Sequence, residues 1–226
     1  ATSASRDVTN RDAFSAGINE ILGVEPEVIS GDEEAELSYH GALSGLDVKG
    51  SVLVADIGGG STEFVTALAD GSLVSRSVNI GCVRMTERHL HSNPPTQPEI
   101  ASTISDIDFH IELIKATIPI NSETTFIGLA GSVTTISAMA LGLTEYDADI
   151  IHGSIVSREQ VESVTNKLLH MTHKERANLG FMHPGRVDII GGGALVLRES
   201  MRVLGFDKVL VSEKDLLDGV VLSLQN

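Results

Sequence analysis

Along this chain, stretches with an apolar residue every three or four positions alternate with short, densely apolar runs bounded by glycine. The first pattern marks a helix with one buried face, the second a buried strand. Phe14, Ile18, Ile21 and Leu22 predict a first helix, capped by Thr9 or Asn10 and ended by Gly23. Val28 and Ile29 read as a short strand. Ser30 and Glu33 form a capping-box pattern that opens a second helix running through Tyr39 and Ala42. Residues 52–55 predict a strand ending at Asp56, residues 63–68 a second, and residues 73–80 a third, with Asp70-Gly71 as the hairpin turn.

After a loop with three prolines, Thr96 and Glu99 repeat the capping pattern. Ile100, Ile104, Ile107, Ile111 and Ile114 then keep strict helical spacing. Residues 124–130 predict a strand that turns at Gly131 and Ser132 into a small-residue helix over 133–141. Ser157 with Gln160, and Thr172 with Glu175, cap two further helices. Residues 186–204 predict a helix interrupted at Gly191, Gly192 and Gly193. Residues 208–211 form a last strand, and Ser212 is expected to cap a terminal helix. Three meandering strands followed by alternating helix and strand imply an α/β fold with a mixed sheet and helices packed on it.

Composition narrows the function. The 226 residues are 42% apolar, enough for a sizeable core, and no apolar run approaches the length that spans a bilayer. The net charge of −15 excludes a basic footprint for DNA or RNA, and with no Trp, two Tyr and six Phe there is little to stack bases on. A polyanionic ligand must then be met locally, by backbone amides, a few arginines and a divalent cation. The single Cys82 rules out an internal disulfide and fits a reducing, cytoplasmic setting, where it serves as a small core residue. Residues 1–10 are polar, with no signal-like apolar segment, and lack an initiator Met; the chain is expected to be part of a longer polypeptide.

The densest chemistry lies in Asp56-Ile57-Gly58-Gly59-Gly60-Ser61-Thr62-Glu63, between two strands. Successive glycines free the backbone so that amides can surround phosphate oxygens, and Ser61 and Thr62 add hydroxyl donors. Asp56, at the end of a buried strand, is placed like a Mg²⁺ ligand, and Glu63 could face the same pocket. This is not a Walker loop, since no Gly-Lys-Ser/Thr follows and a strand comes next. Upstream, Asp32, Glu33 and Glu34 crowd the first turn of a helix; they stabilise its dipole, or one of them aims a water at the phosphate loop. Ala130-Gly131-Ser132-Val133-Thr134-Thr135 reads equally as a close-packed turn capped by Ser132 and as an anion site at a helix start. Gly191 to Gly193, behind Arg186 and Asp188, favour close helix packing over ligand contact. Arg6 suits a phosphate oxygen, or is an ordinary surface arginine. His89, His91 and Cys82 match no zinc spacing.

Taken together, Ala1-Thr2-Ser3-Ala4-Ser5-Arg6-Asp7 with Asn10-Arg11, Ile29-Ser30-Gly31-Asp32-Glu33-Glu34-Ala35, the Asp56 to Glu63 unit, Gly81-Cys82-Val83-Arg84-Met85-Thr86-Glu87, the Gly131 turn and Val211-Ser212-Glu213 with Leu216-Leu217-Asp218-Gly219 resemble the exopolyphosphatase / guanosine pentaphosphate phosphohydrolase (Ppx/GppA) family. The resemblance implies the actin, Hsp70 and sugar-kinase type of fold, with two ribonuclease-H-like lobes and a cleft between them. It implies that Glu34 is the general base, that Glu63 assists the water or the metal, and that Asp56 holds Mg²⁺. Gly58, Gly59, Gly60 and Ser61 would cradle phosphate, Thr62, Gly131 and Ser132 would add contacts, and Arg6 would reach the substrate from the first lobe. Family members open with an upstream phosphate loop that is not in this chain, so most of the first lobe is expected to be missing. Residues 1–30 would be the tail of that lobe, 31–211 the second lobe, and 212–226 a terminal helix returning to the first. A fragment so composed is expected to hydrolyse polyphosphate poorly. The resemblance also suggests a homodimer. The expected activity is release of terminal orthophosphate from inorganic polyphosphate. Hydrolysis of guanosine pentaphosphate and a noncatalytic polyphosphate- or nucleotide-binding regulator are the alternatives, and a carbohydrate kinase is disfavoured for want of a sugar-recognition segment.

Overall fold

The computed structural model describes residues 9–224. Helix α1 (Arg11–Leu22) ends at Gly23, whose left-handed backbone closes it as expected. Residues 24–30 are irregular, so the strand expected at Val28 and Ile29 does not form. Helix α2 (Gly31–Leu43) starts where the Ser30 hydroxyl accepts the Glu33 N–H at 3.2 Å. Strands β1 (Val52–Ile57), β2 (Thr62–Ala67) and β3 (Leu73–Val78) form the meander. Helices α3 (Cys82–His89) and α4 (Gln97–Thr117) follow, then β4 (Thr125–Leu129) runs directly into α5 (Ala130–Ala140). A short α6 (Ala148–Ile151), β5 (Ile155–Ser157), α7 (Arg158–His170), α8 (His173–Ala177), α9 (Ile190–Leu204), β6 (Lys208–Val211) and α10 (Leu216–Ser223) complete the chain.

The six strands form one sheet in the order β3-β2-β1-β4-β6-β5. β1, β4 and β6 are parallel, and the outer pairs are antiparallel, which is the mixed sheet expected. Alternation assigns the two faces. Leu53, Ala55, Ile57 and Phe64 point into the larger core beneath α4, α5, α7 and α9. Val52, Val54 and Val65 point the other way, into a smaller core closed by Ala35, Tyr39 and Ala42 of α2.

Two further expectations are corrected, and one strand was not foreseen. Helix α9 is not interrupted by its glycines but contains them in its first turn. A Cβ on Gly192 would lie 2.6 Å from the Cys82 carbonyl, and one on Gly193 would strike the Ser132 side chain, so glycine lets α9 cross α3 and α5 closely. This packing role is the one favoured from sequence, and burial overrides the poor helix propensity. The terminal helix is capped by Asp215, which accepts the Leu217 N–H at 2.8 Å; Ser212 instead bonds the Lys214 backbone. Finally, β5 was invisible in the pattern, being three residues paired only to β6.

Helix α10 lies along α2. Any Cβ at Gly41 would overlap the Asp215 backbone, and any at Gly219 would overlap the Leu37 backbone. The outer face of α10 keeps Leu217, Val221 and Leu224 exposed, and α1 exposes Phe14, Ile21 and Leu22.

Candidate active site

The strand register places Asp56 of β1 directly opposite Glu63 of β2. Both follow the parity of Val54 and Val65, so both lie on the face covered by α2. On α2, Ser38 hydrogen-bonds the Asp56 carboxylate, and Glu34 sits one turn earlier on the same stripe. Glu34, Glu63, Arg76 and Ser77 line one open cleft of about 280 Å³. The two carboxylates that the sequence singled out thus share a pocket, 29 positions apart in the chain.

Burial first, then the charges of Glu63, Asp215 and Glu34, push the Asp56 carboxyl from its ordinary 3.8 up to about 7; the Ser38 bond opposes this. Glu63 is steadied by the Ser77 hydroxyl, which donates to it at 2.7 Å. Four acidic side chains gathered in one partly buried region create a demand for a cation. Among the described residues no three metal-ligating side chains converge on a point. A Mg²⁺ ion would need only one or two carboxylates here and would complete its shell with water and phosphate oxygens. Asp56, with Glu63 beside it, is the pair that would hold it.

The Gly58 to Ser61 loop is braced from below by α3. Gly58 O accepts from Cys82 N–H at 3.0 Å, and Gly59 O accepts from Val83 and Arg84 N–H at 2.9 and 3.1 Å. Gly81 must be glycine, since a Cβ there would run into the Gly59 carbonyl. Gly58 N–H closes the turn on Ser61 O at 3.1 Å and is therefore spent. Among the described residues the N–H groups of Gly59, Gly60 and Ser61 donate to no protein acceptor, so these three amides are the ones left for an anion.

Two expected contacts are turned away. Thr62 follows the parity of Phe64, is fully buried, and donates its hydroxyl to Ile80 O at 2.5 Å. Ser132 is buried against Gly193 inside α5, and neither caps the helix nor faces the cleft. Gly131 stays partly open, but the Arg186 guanidinium is laid across it, with Nη1 3.2 Å from the Thr135 hydroxyl. Arg6 lies outside the described residues.

Sequence reasoning missed a second polar group at the ends of β4 and β6. The Tyr146 hydroxyl contacts Glu213 at 2.6 Å and Thr134 at 2.7 Å. Burial raises the Glu213 carboxyl, against the pull of that bond, Arg186 and His152. It also missed Asp215, whose charge reaches Asp56. No local motif could have found these, because folding brings them together from the far end of the chain.

The chain matches the model of the Ppx/GppA phosphatase family over residues 1–226. It is 48% identical over 235 aligned positions to Exopolyphosphatase 2 of Mycobacterium tuberculosis (strain ATCC 25618 / H37Rv), covering 99% of this chain and 73% of that protein. The crystal structure of an exopolyphosphatase-like protein superimposes with a TM-score of 0.92 at 42% identity, over 99% of this chain and 75% of that one. A family member from Aquifex aeolicus gives 0.86 at 27% identity, over 99% and 72%. The mixed sheet flanked by helices is therefore a lobe of the actin and sugar-kinase type. With the family model spanning the whole chain and a relative so similar along it, this protein belongs to the Ppx/GppA phosphatase family.

Proposed function

We propose that this protein is an exopolyphosphatase, releasing terminal orthophosphate from inorganic polyphosphate with Glu34 as the general base. The observation that carries the reading is that Glu34 and Glu63 line one cleft on the sheet face where Asp56 also stands. The amides of Gly59, Gly60 and Ser61 hold the terminal phosphate. Glu34, at a helix N-terminus, takes a proton from the attacking water as its oxygen bonds to phosphorus. The anhydride oxygen then departs with the shortened chain. Phosphoryl transfer depends mainly on placement and on neutralising charge, so a carboxylate base of ordinary strength suffices. Asp56 and Glu63 would hold a bound Mg²⁺, which would supply that neutralisation. The family and the exopolyphosphatase relative support a divalent-metal phosphohydrolase.

The exposed apolar faces of α1 and α10 agree with residues 1–30 and 212–226 belonging beside a first lobe. In the test, Mg²⁺-dependent phosphate release by the complete protein is measured from long-chain polyphosphate and guanosine pentaphosphate side by side. Polyphosphate is expected to give the higher kcat/KM. Glu34→Gln should lower kcat on polyphosphate by about 10² to 10⁴, the usual contribution of a general base, with the melting temperature preserved. Wild-type-like turnover by Glu34→Gln would remove Glu34 from the chemistry.

A further inference from the structure

We infer that Arg84 grips the phosphate next to the one held by the loop amides, one anhydride link along the chain. The inference rests on the exopolyphosphatase reading and adds a substrate-binding residue to it. Arg84 is attached to the loop at two points: its N–H donates to Gly59 O at 3.1 Å and its Nε to Gly60 O at 2.5 Å. The guanidinium lies along the loop tip, since a Cβ placed on Gly60 would sit 3.4 Å from Nη2.

Several arginines in this acidic chain are committed to carboxylates. Arg88 pairs with Asp106 at 2.7 Å, Arg158 with Asp207 at 2.9 Å, and Arg198 and Arg202 with Glu199 at 2.6 and 2.5 Å. Arg84 has no such partner among the described residues, and its two terminal nitrogens donate to nothing there. They form a planar fork matched to two oxygens of one phosphate. Because Nε is already fixed, little side-chain freedom remains to be lost on binding. The cleft on the α2 face carries Glu34 and Glu63 with one arginine, Arg76, and Asp56 stands on the same sheet face, so a polyanion gains from a further fixed positive charge at the loop.

The loop amides are few enough to be occupied by one phosphate. A guanidinium displaced sideways from them meets the following group, not the terminal one. Arg84 therefore reads chain, whereas the loop reads the end of the chain. The residue acts on binding in the ground and transition states alike, so its removal raises KM more than it lowers kcat.

The test uses the complete protein with Arg84→Gln and Arg84→Lys. Gln can still donate to Gly60 O and so keeps the loop braced; Lys keeps the charge without the fork. Steady-state kinetics on long-chain polyphosphate are measured beside inhibition by inorganic phosphate. The expected result is a KM raised about 10- to 100-fold in Arg84→Gln, the usual effect of removing one charge-assisted hydrogen bond, with kcat nearly unchanged and partial recovery in Arg84→Lys. Inhibition by inorganic phosphate should stay as in wild type, because that ion occupies the loop alone. An unchanged KM overturns the inference. So does a parallel weakening of polyphosphate and inorganic phosphate, which would make Arg84 a brace for the loop only. If the wild-type protein releases no phosphate, the exopolyphosphatase reading fails; if it does and the variants match it, only the role of Arg84 fails.

Discussion

Replacing Asp56 by Asn should make this protein more stable in alkaline solution while abolishing its chemistry. The folded Asp56 carboxyl titrates near 7, against an ordinary 3.8. Each pH unit of that difference is worth about 1.4 kcal/mol, so the folded state carries a strain of about 4 kcal/mol, an upper bound, once Asp56 is fully ionised. The sign follows from proton binding. Below pH 4 the group is protonated in folded and unfolded chains alike, and no strain exists. As pH rises from about 4 to 7 the unfolded chain ionises first, so wild-type stability falls; above 7 the loss is complete. Asn keeps an acceptor for Ser38 and carries no charge. Asp56→Asn should therefore match wild type at pH 4 and exceed it at pH 8, by up to roughly 16 °C in melting temperature for a chain of this size. Mg²⁺ should narrow the gap at pH 8 by stabilising wild type alone. Thermal unfolding at both pH values, with and without Mg²⁺, is the assay. An equal gain at pH 4 and pH 8, or none at pH 8, would refute the electrostatic account of this carboxylate.

Gly81→Ala should force the phosphate loop off its seat on α3. Overpacking of this kind costs about 1–3 kcal/mol, and displacing a positioned phosphate by about 1 Å can cost 10²-fold in rate; unfolding curves and kcat/KM read the two separately. Thr62→Val should do the opposite. Stability should fall by about 1–3 kcal/mol because Ile80 O loses its buried donor, while inhibition by inorganic phosphate stays unchanged. Weakened inhibition in that variant would restore Thr62 to the phosphate site.

The core of the candidate site was legible because it is local. A strand, a glycine turn and a returning strand fix Asp56 opposite Glu63 with no long-range information. The same alternation already held the reason Thr62 fails, since a residue adjacent to Glu63 on a strand must face the other way. Glu34 was legible as a first-turn acid, but its choice over Asp32 and Glu33 depended on family resemblance. In the structure Asp32 and Glu34 both line the cleft, and Glu34 lies one turn before Ser38, which bonds Asp56. Asp215, Tyr146 and Arg186 were not legible as neighbours, because only the order of β1, β4 and β6 in the sheet gathers the loops that carry them. The α9 glycines misled in their effect on the helix and not in their role; their spacing says nothing of how near α3 and α5 come.

Where Gly41 and Gly219 meet, main chain touches main chain with no side chain between to slide or repack. Segments more than three quarters of the polypeptide apart are thereby riveted into one mechanical unit. Any motion that swings Glu34 must therefore carry the C-terminal helix along with it.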